Sequence, residues 1–200
     1  MIFDVSEIGI QENYRLLNGG VTPRPIAWIS TCSGEGVDNL APYSFFSVAS
    51  CNPPVLLYTQ VTQRSGVHKD TLQNLMDTGE CVVNIVSANL LTEANMSSAS
   101  INADESEFDF ASVESITSHK VTPRSVKASP VRYECTLREV IPISDLPAGG
   151  TVVLLDVQAI YVREDVYVDG AIDQTLIDSV GKMGGDRYSF TSHGVALDRP

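Results

Sequence analysis

Two hundred residues carry a formal net charge of −12 at pH 7, with 43% apolar and 19% charged side chains. That is the make-up of a globular chain able to bury a sizeable core, and a single domain over residues 1–200 is expected. The acidic balance speaks against a nucleic-acid backbone or an anionic membrane as the main partner, since either requires a basic face. The longest apolar runs, 54–58 and 152–155, fall far short of the ~20 residues of a membrane span. The first residues are acidic where a secretion signal would be basic, so a cytoplasmic protein is expected.

In chain order, the first informative stretch is Arg24-Pro25-Ile26-Ala27-Trp28-Ile29-Ser30-Thr31. It reads as a strand entered through a proline, which fixes an extended approach and would aim the Arg24 guanidinium at a phosphate or a ring carbonyl. A turn, Ser33-Gly34-Glu35-Gly36, precedes Asn39-Leu40-Ala41-Pro42-Tyr43-Ser44-Phe45-Phe46. Amide and hydroxyl groups between aromatics suit a flat, polar-edged heterocycle, although a strand pair with its polar residues facing water would look the same. Strands are expected over 25–31, 44–49, 55–59, 81–86, 131–140, 152–162 and 166–168, where β-branched and aromatic residues alternate with Gly, Pro, Asn and Asp punctuation.

A helix is expected from Asp70, with Gln73 completing a capping box, Leu72, Leu75 and Met76 on one face, and Gly79 as its stop. Lys69, Asp70 and Thr71 at its start, after Arg64, Ser65 and His68, suit an anion, and equally suit a well-capped surface helix. A second helix is expected from Leu90 to about Ser98, and short helices and loops over 102–130, where Glu105 and Glu107 read as solvated. Late in the chain, Lys182-Met183-Gly184-Gly185-Asp186-Arg187-Tyr188 suits either a close-approach loop or a surface turn.

Cys32, Cys51, Cys81 and Cys135 are scattered beside apolar strands and read as buried reduced thiols, and no metal site is expected. No phosphate-loop, dinucleotide-fold or nucleophile-elbow motif occurs. The sum favours antiparallel β with a few helices, hence a barrel.

Taken together, RPIAWIST at 24–31, NLAPYSFF at 39–46 followed by Ser47 to Pro54, HKDTLQN at 68–74 and KMGGDRY at 182–188 resemble, in order, the motifs of the flavin reductase-like, FMN-binding split-barrel family. Glu107-Phe108, Ser129-Pro130-Val131 and Glu134-Cys135 resemble its middle section, whereas Cys51-Asn52 departs from the Asp that commonly precedes the paired prolines. The resemblance implies a mainly β, Greek-key split barrel with peripheral helices, a homodimer, and FMN near the subunit interface. It would place Lys69, Asp70, Thr71 and Thr31 around the 5′-phosphate. Ala41, Pro42, Tyr43 and Ser44 would lie on the isoalloxazine, with Arg24, Pro25 and Asn39 close by. The implied activity is flavin reduction by NADH or NADPH, with a monooxygenase or other redox protein as partner. The alternatives are an FMN electron carrier without nicotinamide activity, and a barrel that binds another phosphate-bearing ligand.

Overall fold

The computed structural model describes residues 1–61 and 70–198. A helix, α1 (Ile10–Gly20), precedes six strands: β1 (Arg24–Pro25), β2 (Ala27–Cys32), β3 (Asp38–Tyr43), β4 (Phe46–Cys51), β5 (Pro54–Val61) and, after α2 (Asp70–Thr78), β6 (Glu80–Ile85). A 3₁₀ turn leads into α3 (Leu91–Met96), then α4 (Glu107–Phe110), β7 (Ser115–Ile116) and β8 (Ser125–Val126). Two long strands follow, β9 (Val131–Pro142) and β10 (Gly150–Val162). The chain ends with β11 (Tyr167–Val168), β12 (Ala171–Ile172), α5 (Gln174–Ile177), β13 (Val180–Lys182) and β14 (Tyr188–Phe190).

Seven strands make one antiparallel sheet in the order β3-β2-β6-β9-β10-β5-β4, coiled into a split barrel. Period-2 alternation assigns each strand an inner and an outer face. Ala27 and Ile29 of β2, Ala41 and Tyr43 of β3, Cys81 and Val83 of β6, and Val153 and Leu155 of β10 meet inside with Leu72 and Leu75 of α2. The alternate residues Trp28 and Leu40 face outward into a second core with Ile26, Ala94 and Phe108. Around β2 and β3 the sheet is therefore apolar on both faces, and short helices cover the outer face there.

Buried polar side chains lock that cover in place. Asn84 of β6 donates to the Trp28 carbonyl at 2.9 Å and accepts from Val126 N–H at 2.9 Å, joining β2, β6 and β8. Trp28 donates its indole N–H to Ser97 Oγ at 2.8 Å, and Glu134 receives the consecutive N–H groups of His119 and Lys120.

Several expectations need correction. The stretch 39–43 is itself a strand, β3, and α1 precedes the first motif. Met76 is exposed rather than packed, and Gln73 bonds forward to Asp77 instead of back to the helix start. Cys81 and Cys135 are buried, but Cys51 is exposed. Gly79 ends α2 at φ +75°, a conformation that favours glycine. No helix among the described residues is long and apolar enough to cross a membrane.

Replacing Asn84 with Leu keeps the branched shape but strands the Val126 N–H and removes the donor to the Trp28 carbonyl. Each buried orphan costs about 1–3 kcal/mol, so the variant should melt several degrees below the parent in a thermal unfolding scan. An unchanged midpoint would show these bonds to be dispensable.

Candidate functional site

The residues singled out in the sequence fall into two places. Thr31, Asn39 and Thr71 gather with Asn74 inside the barrel mouth. Asn39 Nδ2 donates to Thr31 Oγ1 at 3.2 Å and Thr71 Oγ1 at 2.9 Å, while Asn74 Nδ2 donates to Thr31 Oγ1 at 3.1 Å. Thr71 also bonds Tyr43, whose hydroxyl donates to Gln60 Oε1 at 3.3 Å. Desolvation raises the Tyr43 phenol well above its usual range, so it stays a protonated donor at neutral pH. Thr31 and Thr71, expected beside a phosphate, are buried and bonded within the protein. Ala41 belongs to the inner core.

Arg24 is likewise turned inward. Its Nη1 donates to the carbonyls of Asn18 at 2.7 Å and Val21 at 2.8 Å, clasping the end of α1. Its Nε approaches Ser44 Oγ at 3.4 Å and Nη2 the Met183 carbonyl at 3.4 Å. The fork expected to face a phosphate or a ring carbonyl binds main-chain oxygens of Asn18, Val21 and Met183 instead. Pro25 is exposed and pairs with Gly181, while Asp70 opens α2. Lys69, with Arg64, Ser65 and His68, lies outside the described residues. The groove beside Asp70, of about 480 Å³, is lined by the carboxylates of Glu35, Asp70, Asp77, Asp104 and Glu105.

The second place is a cleft of about 550 Å³. Pro42, Tyr43 and Ser44, at the end of β3, meet the late loop there through Lys182, Gly185, Asp186 and Tyr188. Ile26, Leu91 and Ala94 give the cleft an apolar wall, and Asn95 and Ser98 add polar groups. The α3 residues were not anticipated. Their signal was the spacing Leu91, Ala94, Asn95, Ser98, which is that of one helix face. Tyr188 donates to Asn95 Oδ1 at 3.0 Å, and Lys182 Nζ lies 4.3 Å from the centroid of the Tyr188 ring. An apolar wall with a few convergent donors, at this volume, is the build of a small-molecule site.

β3 is an edge strand, so its outward N–H groups need partners. Glu107 supplies one: Oε2 accepts from Leu40 N–H at 2.9 Å. Far from solvated, Glu107 is only 6% exposed. Desolvation raises its pKa, partly offset by that bond.

The chain matches the family described as "flavin reductase like domain" over residues 19–179. An uncharacterized protein of Halalkalibacterium halodurans is 35% identical over 192 residues, covering 95% of this chain and 92% of the relative. Component B of nitrilotriacetate monooxygenase from Bacillus cereus superposes with a TM-score of 0.93 at 29% identity, covering 98% of both chains. The 2-nitrobenzoate 2-nitroreductase of Pseudomonas fluorescens gives 0.89 at 27% identity, covering 100% of this chain and 96% of that one.

Because its folded-state pKa is raised by desolvation, Glu107 lowers stability above that pKa, and the penalty disappears as pH falls from the raised pKa to the unfolded glutamate value of about 4.3. Glu107→Gln keeps an oxygen for Leu40 and removes the charge. Its thermal midpoint should exceed the parent's at pH 7, and the gap should narrow on acidification. A gap that is constant with pH would refute this assignment.

Proposed function

This chain belongs to the flavin reductase-like family of split-barrel proteins, and on that premise we propose that it is an FMN-dependent NAD(P)H:flavin oxidoreductase. Family membership establishes flavin-related redox chemistry. The choice of FMN, the nicotinamide donor and the residues that hold them are the further reading. The observation that carries it is the cleft in which the end of β3 meets the Lys182–Tyr188 loop.

The residues present fit a flavin ring. Pro42, Ile26, Leu91 and Ala94 offer flat apolar surface that excludes water. Ser44 already receives Arg24 Nε–H, so its own proton remains to be donated to a ring heteroatom. Arg24 acts by positioning, since it ties α1 and the late loop to the wall that carries Ser44. Lys69 and the start of α2 are assigned to the phosphate on the strength of the motif they share. When bound, the flavin supplies the redox chemistry, taking up hydride from the reduced nicotinamide. Pro42, Ile26, Leu91 and Ala94 would position the bound ring against its donor and keep water out. No side chain is required as a general acid or base.

By its name, the Bacillus cereus relative is one component of a monooxygenase. We assign this chain a similar place, as the source of reduced flavin for a monooxygenase or comparable redox partner. A homodimer is part of the same reading, because Ile10, Tyr14 and Leu17 of α1 lie exposed beside Leu146.

Purified protein mixed with FMN should develop the perturbed visible absorbance of a bound flavin and should oxidise NADH or NADPH. A charge-assisted phosphate bond is worth about 1.5–3 kcal/mol, so riboflavin should bind at least about tenfold more weakly than FMN. Equal affinity for the two would remove the phosphate site. Bound flavin without nicotinamide oxidation would replace the reductase with an electron carrier. Light scattering on the flavin-bound form tests the dimer.

A further inference from the structure

β1, β13 and β14 form a small sheet in which Arg24 pairs with Lys182 and Lys182 pairs with Tyr188. Directly opposed residues project from the same side of a sheet. Two cations and an aromatic ring therefore stand in a row, and Lys182 and Tyr188 line the cleft. Like charges opposed on neighbouring strands oppose folding, so setting Lys182 against Arg24 has no structural advantage of its own.

The two cations differ in how they are satisfied. Arg24 is surrounded by carbonyl oxygens. Lys182 makes no salt bridge among the described residues. Its ammonium rests on the Tyr188 ring and donates to the Gly185 carbonyl at 2.5 Å. Burial lowers its pKa, Asp186 opposes that shift, and Arg24 adds to it. A bound anion would relieve both the burial penalty and the repulsion from Arg24. In a chain of net charge −12, an anionic substrate is repelled at long range and has to be gathered by a local cation.

We propose that Lys182, on its Tyr188 platform, is the receptor for a phosphate group of the reduced nicotinamide dinucleotide. This rests on the reductase reading above and adds the residue that receives the donor's phosphate. The bond from Tyr188 to Asn95 fixes the ring, so the platform is built before the donor arrives. The phosphate belongs either to the pyrophosphate shared by NADH and NADPH or to the 2′-phosphate of NADPH alone.

Lys182→Met keeps an aliphatic stem over Tyr188 and removes the charge. The full-length variant and parent, both with FMN, are assayed with NADH, NADPH and reduced nicotinamide riboside, a donor that has no phosphate. They are also titrated calorimetrically with ADP and with adenosine 2′,5′-bisphosphate. One charge-assisted bond corresponds to roughly ten- to hundredfold in affinity. KM for a dinucleotide should rise by about that factor relative to the riboside, and a nucleotide probe should lose affinity in parallel. Loss with ADP assigns the pyrophosphate, and loss confined to the bisphosphate assigns the 2′-phosphate. Lys182→Arg should recover part of either effect. Equal KM changes for all three donors would make Lys182 merely structural and overturn the proposal. So would failure of the parent to bind either nucleotide, or a loss of FMN affinity with riboflavin binding intact. A parent that oxidises no nicotinamide donor refutes the reductase reading instead, and the titrations still decide the role of Lys182.

Discussion

A hydrogen-bond chain across the mouth of the barrel is the constraint on which the rest depends. β3 and β5 are not neighbours in the sheet, and the bond from Tyr43 to Gln60 joins them across the split. Thr71, Asn39, Thr31 and Asn74 continue that chain into α2 and β2. Buried polar groups in a low-dielectric interior are costly unless all are satisfied. Their mutual pairing thus fixes where α2 plugs the barrel and how β3 runs. The end of β3 then becomes a rigid cleft wall, with Glu107 holding its other edge.

That arrangement separates two tasks which the sequence presents as one. On β3, period-2 alternation sends Asn39, Ala41 and Tyr43 inward and Leu40 to the outer core. The motif is therefore part brace and part binding surface. Of the motif 39–46, Pro42 to Ser44 line the cleft. Arg24 shows the same economy, since one guanidinium ties together α1, Ser44 and the Met183 turn.

Six of the seven strands in the main sheet were legible because β-branched and aromatic residues dominate them and polar punctuation bounds them, while β7, β8, β12, β13 and β14 are too short to carry such a pattern. β3 was not, because Asn39 and Pro42 are poor strand formers and are tolerated here only at a sheet edge. α1 was missed although Ile10, Tyr14 and Leu17 recur at the spacing of one helix face, a stripe that stays exposed in this chain. Glu107 looked solvated because its partner, the Leu40 N–H, lies 67 residues away. Parts of three motifs line the same cleft, but which of their side chains face it was not legible. The polar chain joins residues up to 43 positions apart, and local pattern carries no information about such pairing.

The single tryptophan of the chain gives this architecture an optical handle. Trp28 is fully buried in the outer core, and its indole N–H is held by Ser97 just past α3. Its emission should be blue-shifted while α3 is seated, and should move to the red if that helix lifts away. α3 carries Leu91, Ala94 and Asn95 into the cleft, so the same fluorophore reports on the integrity of that wall. The chain thus carries a native probe through which ligand-linked movement of the helix can be followed without an added label.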